Sequence, residues 1–252
     1  MPIVLTIAYD GTKFHGFQRQ REEPTVQSVL EDALQRVNDG PTRIQGAGRT
    51  DAGVHAFGQV VSFSPRVAIP LDRWARALNG NLPQGIWVRD ARRAPAGFHP
   101  VRWSIWKHYR YRIRTDDIGL PFLANFCWYL FRPLDVAAMS RASAHLVGRH
   151  DFAAFQVTGR PVQSTVRTMY RMEASCNGGL ITLDFVADGF LYKMARGIAG
   201  TLAEIGTGAM TIEGMMSAKE MGDRSGMGPT APGHGLFLVS VGYPRGILRR
   251  AD

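Results

Sequence analysis

The hydrophobic and polar positions of the first hundred residues predict six elements, in the order strand, helix, strand, strand, helix, strand. Residues 2–9 (PIVLTIAY) are apolar and β-branched, as in a buried strand. Behind Thr25, the predicted N-cap, apolar residues recur at helical spacing from Val26 to Val37. Further strands are predicted at 43–45, 59–63 and 86–90, and a second helix at 71–79. This order is that of a ferredoxin-like βαββαβ unit.

The second half of the chain repeats this order of elements. Its predicted strands lie at 109–114, 167–174, 180–186 and 236–243, and its helices at 135–147 and 190–205, with an extra helical stretch at 211–221. Asn177, Gly178 and Gly179 predict a tight hairpin turn. Residues 222–235, rich in Gly and Pro, are expected to form a surface loop. We therefore predict an α+β fold with an N-terminal domain at 1–104 and a C-terminal domain at 105–252.

Charge points to the class of partner. The formal net charge is +9 and the pI is near 10.1, a field that attracts polyanions and makes a nucleic acid the expected partner. No apolar run approaches the roughly 20 residues that cross a bilayer, and the N-terminus lacks a signal-peptide pattern. The expected location is cytoplasmic, without a membrane partner.

Neither cysteines nor histidines predict a metal site. Cys127 and Cys176 lie far apart in sequence, with no CxxC spacing and no paired histidines, and both are expected to be buried apolar residues. The seven histidines, His55 included, lack metal-ligand spacing and are expected to be surface or core residues.

The stretch 46–63 (GAGRTDAGVHAFGQVVSF) carries the strongest candidate for chemistry. It places Asp51 on a glycine-rich loop just before an apolar strand, two residues after Arg49. One interpretation is a catalytic carboxylate beside a cation; the other is an ordinary turn, since Asp and Gly favour turns for conformational reasons. A dinucleotide or phosphate loop is not predicted, because Asp51 stands where GxGxxG needs glycine and Gly-Lys-Ser/Thr is missing.

Three other segments each allow two interpretations. Residues 13–20 (KFHGFQRQ) fit either base stacking by Phe14, Phe17 and Arg19 or core packing. Strand 109–114 (YRYRIR) places tyrosines on one face and arginines on the other, which fits either RNA contact or an ordinary half-buried strand. Residues 190–200 (FLYKMARGIAG) carry Lys193 and Arg196, which either pair with a carboxylate such as Asp51 or extend to solvent.

These segments occur together and in order, and the chain resembles the tRNA pseudouridine synthase A family. The resemblance rests on GRTDAGVHAFGQVVSF, KHYRYRI, FLYKMARGIAG and GLFLVSVGYP, and extends to YDGTKFHGFQRQ, VQSVLEDAL, ALNGNLP and FHPVRW, so it covers nearly the whole chain. It implies the pseudouridine synthase fold, with two ferredoxin-like halves whose antiparallel sheets face a basic active-site cleft. It also implies a cofactor-free, homodimeric isomerase that converts uridine to pseudouridine at positions 38, 39 and 40 in the anticodon arm of tRNA.

The resemblance also implies roles for four residues. Asp51 matches the catalytic aspartate, Tyr109 the tyrosine that packs on the target base, and Arg196 the basic partner of the aspartate. Arg49 matches the arginine that helps the target nucleotide leave the helix. The segment FHPVRW departs from the family's FHAR, because Val101 holds the place of the arginine and Arg102 follows it.

The chemistry is compatible with a single carboxylate. A hydrolytic glycosidase generally uses two carboxylates, but uracil leaves as a delocalised anion and needs less acid assistance. A cation near Asp51 would favour its ionised form, and an aromatic ring can hold a flipped base. The alternative function is a non-catalytic RNA-binding protein with ferredoxin-like sheets, although a carboxylate in its cleft would repel phosphate.

Overall fold

A computed structural model of the protein describes residues 1–116, 118–157 and 162–249. The chain packs as two compact units, one formed by Met1–Trp106 with Phe237–Asp252 and the other by Lys107–Leu236. Both units combine helices with mostly antiparallel strands, which confirms the α+β class. In the described part of the chain, every helix is too short or too polar to cross a bilayer.

The first unit contains the predicted βαββαβ order. Its elements are β1 (Ile3–Tyr9), α1 (Val26–Val37), β2 (Gln45–Gly46), β3 (His55–Phe63), α2 (Trp74–Asn79) and β4 (Ile86–Arg93). Strand β1 lies between β3 and β4 and is antiparallel to both, and β2 pairs with the other edge of β3. The second strand of the motif is only two residues long, and β3 begins four residues earlier than its apolar run predicts.

Helix α1 begins where the sequence places it. The Thr25 hydroxyl accepts a hydrogen bond from the Ser28 N–H, and the Ser28 hydroxyl accepts one from the Thr25 N–H, which forms a capping box. In the apolar stripe, Val26, Leu30 and Leu34 are fully buried, and Val29 and Val37 are partly exposed. The N-cap and the burial of the apolar stripe therefore both support the predicted helix α1.

The second unit contains the remaining elements up to residue 236. They are β5 (Trp106–Arg114), β6 (Trp128–Tyr129), α3 (Val136–Ala144), β7 (Gly148–Asp151), β8 (Val166–Asn177), β9 (Leu180–Ala187), α4 (Met194–Gly206) and α5 (Ile212–Met221). Strands β5, β9, β8 and β7 follow one another across an antiparallel sheet, and β6 runs parallel to β5. The hairpin is confirmed, with both Gly178 and Gly179 at positive φ. The strands β6 and β7 are too short for a periodic pattern in the sequence to predict them.

The expectation of a surface loop at 222–235 is wrong for its central part. Met227 and Ala231 are buried, and the Gly228 N–H donates to the Thr201 hydroxyl of α4 at 3.1 Å. A Cβ on Gly200 would lie 1.7 Å from the Pro229 carbonyl oxygen, so only glycine permits this close approach. The segment therefore packs along α4.

One cysteine also departs from its prediction. Cys127 is buried as expected, whereas Cys176 is exposed near the hairpin end of β8. The residue type of Cys176 predicts burial, but its place near the end of the hairpin leaves it exposed to solvent.

The last strand, β10 (Leu236–Gly242), lies almost wholly in the first unit, where it runs parallel to β3. Phe237 pairs with His55, and Leu238 with Ala56, just after the Asp51 loop. The predicted domains at 1–104 and 105–252 stay a prediction; by packing of Cα atoms, residues 237–252 group with the first unit.

Candidate active site

The loop that carries Asp51 connects β2 to β3, and hydrogen bonds with buried polar groups hold it in place. The Gln59 side-chain amide donates to the Gly48 carbonyl oxygen at 2.9 Å, and the hydroxyls of Tyr9 and Thr50 lie 2.8 Å apart. The Phe17 N–H donates to the Thr50 carbonyl oxygen at 3.0 Å. These contacts hold the residues on either side of Arg49 in place.

The tips of this loop face outward. Thr50 is buried, whereas Arg49 is exposed and Asp51 is partly exposed. A partly exposed side chain on a loop whose backbone is held in place is suited to meet a substrate.

The segment YDG, which begins with the last residue of β1, packs against the end of this loop. A Cβ on Gly11 would lie 2.1 Å from the Val54 carbonyl oxygen, so the backbones of the two segments touch where any larger residue would separate them. Burial raises the pKa of Tyr9 to about 12, although hydrogen bonds with Thr50 and Gln59 lower it. Tyr9 therefore stays protonated and acts as a neutral support for the loop.

His55 belongs to this support. It is 1% exposed, its ring stacks on Phe237 with centroids 4.7 Å apart, and its Nδ1 accepts the Gly11 N–H at 2.9 Å. Asp10 Oδ1 lies 3.3 Å from the same nitrogen. Because a backbone N–H can only donate, Nδ1 acts as the acceptor, and we assign the contact with Asp10 no ion-pair role.

The aromatic residues of 13–20 belong to the core. Phe14 and Phe17 are 8% and 2% exposed, and Arg19 bonds to the carboxylates of Glu31 and Asp32 at 2.9 and 3.1 Å. The core-packing interpretation is therefore correct for this segment.

Strand β5 in the second unit has the predicted alternation. Tyr109, Tyr111 and Ile113 point to the buried face, and the Tyr109 ring meets Phe190 edge-on with centroids 4.9 Å apart. Tyr109 is 7% exposed, so packing within the second unit holds its ring in place.

The opposite face of β5 is largely neutralised by carboxylates. Arg110 Nε and Nη2 each lie 3.0 Å from the Asp184 carboxylate, which His108 also contacts at 2.5 Å. Burial raises the pKa of Asp184, but the hydrogen bonds from His108 and Arg110 outweigh it and hold the pKa below its usual value. Arg114 is similarly bonded to Asp116. For Arg110 and Arg114, this favours a half-buried strand over phosphate contact.

Arg196 lies in the first turn of α4 and is partly exposed. Its Nε donates to the Ala231 carbonyl oxygen at 2.7 Å. Lys193, just before the helix, adopts the left-handed conformation at φ 58°, so α4 begins at Met194 rather than at residue 190. The Lys193 ammonium lies 5.0 Å from the centre of the Tyr192 ring, a cation–π contact at the surface.

His234, which no pattern in the sequence marks as functional, lies near Arg196. Burial lowers the pKa of His234 and the positive charge of Arg196 lowers it further, against a hydrogen bond with the Cys127 backbone that raises it. The histidine stands in APGHG, inside the segment expected to be a surface loop, so no sequence signal marked it. In the described residues, no three His, Cys, Asp or Glu side chains are grouped to hold a metal ion.

The segment around Val101 and Arg102 forms an exposed turn after β4. The Val101 N–H donates to His99 Nδ1 at 3.2 Å, which shapes the turn locally. Any RNA contact at this departure from the family pattern stays untested.

A family model described as tRNA pseudouridine synthase matches residues 5–103 and 142–244 of this chain. The chain belongs to this family. Asp51, Arg49 and Arg196 lie within the matched residues, whereas Tyr109 lies between them, so its assignment rests on the KHYRYRI resemblance alone.

Individual members of the family are similar to this chain over nearly their whole lengths. A tRNA pseudouridine synthase A from Geobacillus sp. is 40% identical, covering 96% of this chain and 98% of the relative. The enzyme of that name from Moorella thermoacetica is 43% identical over 95% and 98% of the two chains, and that from Neisseria gonorrhoeae is 39% identical over 97% and 94%.

Proposed function

We propose that this protein isomerises uridine to pseudouridine in tRNA. The observation that carries the proposal is one carboxylate, Asp51, on a loop clamped at Gly48 and Thr50, in a chain of the tRNA pseudouridine synthase family. The clamp fixes the backbone on both sides of Arg49, and Asp51 is partly exposed.

The reaction breaks the N1 glycosidic bond, turns the uracil and joins C5 to the sugar. The C5 proton is lost and N1 gains a proton, so the change is an isomerisation with no redox step and no cofactor. Asp51 assists glycosidic cleavage by covalent or electrostatic means. The departing uracil spreads its negative charge over the ring, which is why one carboxylate suffices where hydrolytic glycosidases use two.

The other three residues take the roles that the resemblance implies. Arg196 favours the ionised form of Asp51, and Tyr109 stacks on the flipped base. Arg49, exposed at the loop, contacts the RNA and helps the nucleotide leave the helix. The pairing of Arg196 with Asp51 rests on the resemblance.

The resemblance to the family is also the basis for proposing which tRNA positions are modified and which oligomer the protein forms. We propose that the enzyme acts in the cytoplasm as a homodimer on the anticodon arm, at positions 38, 39 and 40. The net charge of +9 supports a polyanionic partner. Mapping of pseudouridine at nucleotide resolution in treated transcripts tests the positions, and sedimentation of the purified protein tests the dimer.

The decisive experiment compares wild type with Asp51→Asn on unmodified tRNA transcripts. We expect product from wild type alone and tRNA binding by both proteins, because asparagine keeps the shape and removes the charge. As a matched control, Asp32→Asn changes an exposed carboxylate that contacts Arg19, and it should leave activity unchanged. Undiminished turnover by Asp51→Asn would refute the assignment.

The same experiment separates the alternative of a non-catalytic RNA-binding protein. That protein would bind tRNA without forming pseudouridine in either variant. The burial of Phe14 and Phe17 argues against an aromatic base platform at 13–20.

A further inference from the structure

Residues 231–235 (APGHG), called here the 231–235 segment, join Arg196 to a buried tyrosine that has no assigned role. Ala231 and Arg196 each donate a hydrogen bond to the other. Arg196 Nε donates to the Ala231 carbonyl oxygen at 2.7 Å, and the Ala231 N–H donates to the Arg196 carbonyl oxygen at 3.1 Å. Because the guanidinium is planar, a hydrogen bond at Nε sets the plane in which its terminal nitrogens lie. The position of Ala231 therefore sets the direction of the Arg196 charge.

The next residue of the segment is held by Tyr111. The Tyr111 side chain is fully buried, and its hydroxyl donates to the Pro232 carbonyl oxygen at 2.8 Å. A Cβ on Gly235 would lie 2.6 Å from Cζ of the same ring, so the ring also packs directly on the end of the segment. Tyr111 thus fixes the segment at two points, one of them adjacent to the residue that holds Arg196.

The charges around Tyr111 agree with this arrangement. Burial raises the pKa of Tyr111 well above its usual value, although the positive charge of Arg196 lowers it. The hydroxyl therefore keeps its proton at neutral pH and remains a donor to Pro232. The segment is also anchored upstream, where Arg224 Nη1 donates to the Gly228 carbonyl oxygen at 2.8 Å.

We propose that Tyr111 is a positioning residue that orients the Arg196 guanidinium for catalysis through the carbonyl groups of Ala231 and Pro232. This inference rests on the proposed function, in which Arg196 acts at the reacting site. It adds a residue that contacts neither substrate nor Asp51 in the proposed mechanism. The competing explanation is that Tyr111 only stabilises the second unit.

The first test compares Tyr111→Phe with a matched control. Tyr243 is partly buried and also donates to a proline carbonyl, that of Pro100, at 2.9 Å, so Tyr243→Phe removes the same kind of hydrogen bond from the other unit. We expect Tyr111→Phe to lower kcat by about 3- to 10-fold, the effect of one hydrogen bond, with KM and the tRNA dissociation constant unchanged. Tyr243→Phe should leave kcat unchanged, although it should shift the melting temperature by about as much as Tyr111→Phe does. Equal kcat in both variants would overturn the proposal.

The second test asks whether Tyr111 acts through Arg196. Arg196→Lys keeps the charge but removes the Nε donor, so it should lower kcat at least as much as Tyr111→Phe does. In the Arg196→Lys background, Tyr111→Phe should then cause no further loss. Independent, multiplicative losses would overturn the proposal, as would full activity of Arg196→Lys.

If Tyr111→Phe does not fold, Pro232→Ala provides the same test. It keeps the carbonyl groups but loosens the backbone of the segment, so a smaller loss of kcat is expected, again absent in the Arg196→Lys background. No loss would overturn the inference. Failure of the proposed function is separate, because it appears as full activity of Asp51→Asn or as no pseudouridine from wild type.

Discussion

Replacing Gly11 with alanine should impair catalysis by displacing the Asp51 loop from a distance. The added Cβ would lie 2.1 Å from the Val54 carbonyl oxygen and 2.6 Å from the Val54 carbonyl carbon, both backbone atoms. Ordinary contact begins near 3.5 Å, so the Cβ and the Val54 carbonyl oxygen have to move apart by about 1.4 Å, shared between the two backbones. Val54 follows Asp51 by three residues, and its N–H donates to the Asp51 carbonyl oxygen at 3.2 Å.

The expected magnitude follows from this displacement. A shift of about 1 Å in a positioned catalytic group lowers kcat by up to roughly 100-fold, and overpacking of this kind lowers stability by about 1–3 kcal/mol. Single-turnover pseudouridine formation measures the first effect and urea unfolding the second. Binding of tRNA, by filter retention, should change little, because the altered atoms are buried.

The matched control is Gly80→Ala. Gly80 has an ordinary helical conformation with φ −71°, and a Cβ there would meet nothing closer than 3.7 Å. It should keep wild-type activity and stability within a small margin. If Gly11→Ala also turns over within twofold of wild type, the Asp51 loop is not held by this contact and the reasoning fails.

Two further predictions concern stability and reactivity. Asp184→Asn should lower the urea midpoint at pH 7 and have a smaller effect at pH 3. The hydrogen bonds from His108 and Arg110 lower the folded pKa of Asp184 below its usual value of 3.8, and the stability that they contribute declines as pH falls from that value through the folded pKa. Equal destabilisation at both pH values would contradict this. Cys176 should react with an alkylating reagent in the folded protein while Cys127, buried and with a raised pKa, is protected, so mass spectrometry should find one modified thiol before unfolding and two after it.

Local patterns predicted much of the fold. The spacing from Val26 to Val37 and the Thr25 cap identified α1, and the alternation of β5 placed Tyr109 and Tyr111 on the same face of the strand. These features depend on neighbours within a few residues, so the sequence displays them directly. The same locality explains why the start of α4 was misplaced: the left-handed conformation of Lys193 reflects its packing rather than its residue type.

The candidate site was only partly predictable. Asp51, Arg49, Tyr109 and Arg196 came from specific motifs, but their supports did not. The side chain of Gln59, in β3, holds Gly48 in the preceding loop, and Tyr111 bonds to Pro232, which lies more than a hundred residues further along the chain. Such contacts join residues that are not neighbours in the sequence. The periodicity of apolar residues reports only on local structure, so it cannot predict these contacts.

By itself, the sequence determined the α+β class, the family and the identity of the one loop carboxylate, because these follow from residue order and short motifs. Only the tertiary structure decided that Phe14, Phe17 and His55 serve as core and support, that Arg19 and Arg110 are neutralised by carboxylates, and that the 231–235 segment packs against Arg196. The physical reason is that burial and charge pairing are properties of the surroundings of a side chain, which the chain assembles from distant residues only when it folds.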